Sequence, residues 1–74
     1  MARALHLVKS AHHALALATI RAQVEAGDTV TVAVLPGGTA PALPAGVALR
    51  RVPDDLGWAA LLDLVFDADH VVTW

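Results

Sequence analysis

A change of hydrophobic period within the first 35 residues constrains this chain more than anything else in it. Residues 4–9, Ala-Leu-His-Leu-Val-Lys, form an apolar run with a single charge at its end, as suits a strand buried on both faces. From Ala11 the spacing turns helical, with His13, Leu17, Ile20 and Val24 recurring at steps of four, three and four. Ser10 stands at the joint, where its hydroxyl can cap the helix by accepting a backbone N–H. Gly27 supplies the left-handed residue that ends it. Residues 29–35, Thr-Val-Thr-Val-Ala-Val-Leu, are rich in β-branched side chains and stop at Pro36-Gly37-Gly38, which predicts a second strand. A strand, a helix over residues 11–26 and another strand make a βαβ unit, whose crossover should be right-handed.

The rest of the chain extends that unit. Residues 36–46 hold three of the four prolines and read as a long connection without a helix. Residues 47–52 suggest a third, weaker strand containing Arg50 and Arg51, which Pro53 stops. Asp54 or Asp55 should cap a second helix running to about Ala68. On that helix Ala59, Asp63 and Asp67 form a solvated stripe, while Trp58, Leu61, Leu64, Val65 and Ala68 should cover the sheet. Residues 70–74, His-Val-Val-Thr-Trp, read as a closing strand. The order β-α-β-loop-β-α-β predicts an α/β fold. It is a small three-layer sandwich with two helices and a four-stranded, mostly parallel sheet in the order 2-1-3-4, the first strand lying centrally.

Length allows one domain over residues 1–74, marginal in stability at this size. The apolar fraction is 57 %, against about 45–50 % in an average domain, and only 16 % of residues are charged. So much apolar side chain exceeds what a small domain can hide, and association is the simplest outlet. Leu62, Phe66 and Trp74 are the expected interface: the first two stack four apart on one helix face, and Trp74 closes the chain at an edge. Cysteine is absent, which excludes disulfides and any thiol, persulfide or thiolate–metal chemistry on this chain. Net charge is −2 with five basic residues scattered along the chain, which argues against direct nucleic-acid binding. No apolar run reaches the roughly 18–20 residues a membrane span needs, and the N-terminal segment is too interrupted for a signal peptide, so a cytoplasmic location is expected.

Ligands of open α/β sheets bind beyond the carboxyl ends of the strands, where strand order reverses, here expected between the first and third strands. Lys9, Ser10, His12 and His13 fall at that rim and make a weak anion site, with helix capping as the plainer reading. There is no Gly-rich phosphate fingerprint after the first strand. Gly37-Gly38-Thr39 suits a phosphate or a tight turn equally. Asp54-Asp55 fits capping better than acid–base work. His12 and His13 are adjacent and diverge by about 100° on a helix, so four histidines here make no metal set. No catalytic constellation is visible, and neither enzyme activity nor a cofactor is expected.

With these segments placed, the chain resembles a shortened member of the DsrE/DsrF/DsrH family, on the DsrH (TusB) branch. The resemblance is carried by the Leu-His-Leu-Val-Lys-Ser run of residues 5–10 and by the apolar strand ending in a Gly-containing turn over residues 32–42. It is carried further by Val52-Pro53-Asp54-Asp55-Leu56-Gly57-Trp58 opening a helix, and by a short strand ending in Trp74. A segment that full-length members carry between the third strand and last helix is missing. The resemblance implies a flavodoxin/DsrE-like fold and a subunit of a DsrEFH/TusBCD-like sulfur relay, serving tRNA wobble-uridine thiolation or sulfur oxidation. It implies homo-oligomers, or hetero-oligomers with DsrE/TusD-like and DsrF/TusC-like subunits. The essential cysteine of that relay belongs to the DsrE-like partner, so a cysteine-free chain would be a non-catalytic subunit. The alternative is a stand-alone module binding an anionic ligand at the start of the first helix.

Overall fold

The structure, a computed structural model, describes residues 2–11 and 13–74. It is an α/β sandwich with one four-stranded sheet: β1 (Arg3–Val8), α1 (Ala14–Glu25), β2 (Thr29–Val34), β3 (Ala48–Arg51), α2 (Trp58–Asp67) and β4 (His70–Thr73). All three pairings are parallel. β1 lies inside the sheet, as its run of apolar residues requires. The order is 3-2-1-4, where 2-1-3-4 was expected. β3 joins the outer side of β2 instead of standing between β1 and β4.

That order dictates the layers. The chain steps the same way twice, from β1 to β2 and from β2 to β3, then returns across both to β4. Right-handed crossovers therefore put the first two connections on one face of the sheet and α2 on the other. On the α1 face, Ala4, Val8, Val30, Val32 and Val34 pack with Ile20, under a lid formed by Ala40, Leu43 and Val47 of the proline-rich connection. On the α2 face, Leu5, Ala33, Val52 and Leu61 form the second core, with Leu64, Val65 and Ala68 against it. Among the described residues no helix is long and apolar enough to cross a membrane.

Both helices start later than their apparent caps. The position before α1 is His13, not Ser10, and no side chain caps it. The backbone explains the delay. Lys9 N–H donates to Trp74 O at 2.8 Å, and Ser10 O accepts from Thr39 N–H at 3.4 Å, which carries the chain past the end of the sheet before it turns. At α2 the cap position is Gly57, while Asp55 Oδ2 instead accepts from Arg51 N–H at 3.0 Å and closes the preceding turn. The end of α1 follows expectation: Gly27, at φ +87°, and Asp28 donate back to Val24 O and Gln23 O, the paired bonds of a Schellman cap.

Candidate functional site

The residues expected at the rim are only partly gathered. Ser10 and His13 both meet the turn that follows β2, because His13 Nε2 lies 3.2 Å from Thr39 Oγ1 and Ser10 O accepts from Thr39 N–H. Lys9 is exposed beside them, and His12 lies outside the described residues. Gly38 is what lets this turn close. A Cβ there would sit 2.5 Å from Val8 O, the atom that accepts from Leu35 N–H, so only glycine fits. Gly38 thus serves a close backbone approach, and Gly37, at φ +91°, the left-handed turn before it. Next to them a cavity of about 170 Å³ opens at the carboxyl ends of β2 and β3, bordered by Pro36, Gly37, Arg51 and Asp54. Its lining holds one arginine and one aspartate, which gives it no strong preference for either sign of ligand.

The reversal of strand order falls between β1 and β4, not between the first and third strands, because β3 lies on the far side of β2. Here the chain closes on itself. Trp74 N–H donates to Leu7 O at 2.8 Å. Its indole Nε1–H donates to His6 Nδ1 at 2.8 Å, and His6 Nε2 lies 2.6 Å from Gln23 Oε1. The His6 and Trp74 planes are within 8° of parallel with centroids 6.1 Å apart, which is the geometry of an in-plane hydrogen bond between ring edges. His6 is fully buried. Indole is a donor only, so Nδ1 acts as acceptor and the ring proton sits on Nε2, donating to Gln23. Trp74 stands at the sheet edge, as expected, and is half-buried there with its indole turned in on His6. Single-sequence spacing misses this chain of three because its partners lie 68 and 17 residues apart. The available signal was a histidine inside a strand buried on both faces, which must find partners for both ring nitrogens.

The apolar surface of α2 is wider than expected. Leu61 is buried and Ala59, Asp63 and Asp67 are exposed, as their spacing predicts. Leu62 and Phe66 are exposed, Phe66 to 78 %. Trp58 joins them at 56 %, a correction to its expected place against the sheet. At 100° per residue Trp58, Leu62 and Phe66 form one line four apart, about 110° round the helix from the centre of its buried side. Among the described residues no group of three or more histidine, aspartate or glutamate side chains is placed to hold a metal ion. No protein-family model, curated protein or solved structure matches this chain.

Proposed function

We propose that this chain is a non-catalytic subunit of a multi-subunit assembly of the DsrEFH/TusBCD sulfur-relay type, with the persulfide carried by a partner's cysteine. The observation that supports it is the line of Trp58, Leu62 and Phe66, left uncovered on a helix of ten residues in a chain without cysteine. Such a line serves assembly and offers no chemistry of its own. Mixing the protein with a cysteine-bearing DsrE-like subunit and following sedimentation tests the reading. A faster-sedimenting mixed species is expected, with sulfur from a labelled donor found on the partner alone. Independent sedimentation of the two, or a sulfur adduct on this chain, overturns it.

A second reading, an anion-binding module at the rim, is favoured by the meeting of Ser10, His13 and Thr39 beside Lys9. A rise in melting temperature with phosphate, abolished in Lys9→Ala, is its expected signature. No rise at high phosphate sinks it.

A further inference from the structure

Five large apolar side chains are exposed among the described residues: Leu15, Trp58, Leu62, Phe66 and Val71. They come from three elements, yet the geometry brings them to one side of the molecule. On α2, Leu64, Asp67 and Ala68 border a cavity beside Thr29 and Thr31, so that flank of the helix looks toward β2. The opposite flank, with Trp58, Leu62 and Phe66, looks toward β4. On α1, His13 reaches the connection leading to β3, whereas Gln23 reaches His6 beside Trp74. Leu15 lies in line with Gln23 at steps of four through Thr19, and so also looks toward β4. Val71 is on β4 itself and, being in register with Leu5, lies on the α2 face.

β4 is an edge strand, with no neighbour on its outer side among the described residues. The opposite edge, β3, is guarded by exposed Arg50 and Arg51, the kind of charge that keeps strands from joining. β4 reads His-Val-Val-Thr and carries no arginine or lysine, with His70 its one titratable side chain. An unguarded strand edge flanked by apolar side chains on both faces calls for another strand bearing the same flanks.

We propose that β4 is a dimerisation edge, at which a second copy of this chain pairs its own β4 antiparallel about a two-fold axis perpendicular to the sheet, forming one continuous eight-stranded sheet. Directly opposed residues must lie on the same face, so only registers centred on a residue satisfy the symmetry. Centred on Val71, the register sets Val71 against itself, His70 against Val72 and Asp69 against Thr73, and no like charges meet. The axis places both α2 flanks on one face with Leu62 and Phe66 adjoining their copies, and Leu15 on the other face. At roughly 150–250 Å² for a fully exposed large side chain, the exposed fractions leave on the order of 500 Å² per protomer. A pair thus reaches about 1,000 Å², where specific interfaces begin. The proposal rests on reading the α2 flank as an assembly surface and is independent of the sulfur chemistry.

The test is sedimentation equilibrium of the purified chain at tens of micromolar, together with cross-linking in its cysteine-free background. The parent is expected at twice its chain mass, and Phe66→Asp at least tenfold weaker in self-association with an unchanged far-ultraviolet circular dichroism spectrum. Val71→Cys is expected to form a disulfide-linked dimer on mild oxidation, while Arg50→Cys at the other edge does not. The cross-link is read in an otherwise parental protein, so a Phe66→Asp chain that failed to fold would not decide the matter. A monomeric parent, or equal cross-linking at both edges, overturns the proposal. A chain that binds a DsrE-like subunit but remains monomeric alone overturns it and spares the sulfur-relay reading; a dimer that ignores that subunit does the reverse.

Discussion

The two faces of the sheet are built to different standards. Over one face α1 and the proline-rich connection together seal a core in which Val8, Ile20 and Val32 have no exposure at all. That face also admits a buried polar chain, Gln23 to His6 to Trp74, with every nitrogen of the histidine ring engaged. Over the other face α2 is helped mainly by Val52 and Leu56 of the turn before it, and only Leu61 of its ten residues is buried. Its contacts to the sheet are apolar and its outer flank is bare. A small sheet can thus be closed on one side by its own chain while the other side leaves apolar surface uncovered.

The largest expected effect tests that asymmetry directly. Ile20→Ala removes a side chain with no exposure and should cost about 4 kcal/mol, whereas Leu61→Ala, at 7 % exposure, should cost about 2 kcal/mol. Urea unfolding of both variants measures the difference, and equal costs would erase the distinction between the faces. Next comes the polar chain. Trp74→Phe removes the donor to His6 Nδ1 and leaves a buried acceptor without a partner, an expected loss of about 1–3 kcal/mol. Combined with His6→Leu, which also frees the Gln23 amide, the loss should be smaller than the sum of the two singles, because the bond between His6 and Trp74 is then counted once. A double variant as unstable as the sum of the singles would mean that the hydrogen bond is not what holds Trp74. The smallest effect is expected on the bare flank: Phe66→Asp, measured dilute enough to be monomeric, should change stability by less than about 0.5 kcal/mol. A larger loss would show that Phe66 serves its own chain's core.

Elements whose evidence is local could be read from the chain alone. The β-branched run of β2, the Gly27 helix end and the exposed line of Ala59, Asp63 and Asp67 all follow from spacing within a few residues. What could not be read depends on distant partners. Nothing in residues 36–46 announces which side of β2 they deliver β3 to; the answer lies in Ala40, Leu43 and Val47 finding the α1 face. Ser10 and Asp55 look like helix caps, but backbone bonds to Thr39 and Arg51 set those turns. At the candidate site, Ser10 and His13 were placed near one another by sequence, while Thr39 and the His6–Trp74 bond required the folded chain. Leu62 and Phe66 were recognisable as surplus to one sheet face, and Trp58 was not, because its place on the wheel lies at the border between the two stripes.

The pairing of β4 with β1 also sets a clock. His6 and Trp74 are 68 residues apart, and the strands that carry them lie side by side. Contacts of that span are slow to form, since the loop must close before the ladder rewards it. During synthesis at roughly 5–20 residues per second, β1 waits on the order of several seconds after it emerges before β4 exists. For that time an apolar strand meant for the middle of a sheet is itself an edge, and any neighbouring nascent chain can supply the strand it lacks. Crowded polysomes should therefore favour strand-swapped misassembly of this protein, and slowing initiation, which spaces the ribosomes, should raise its soluble yield.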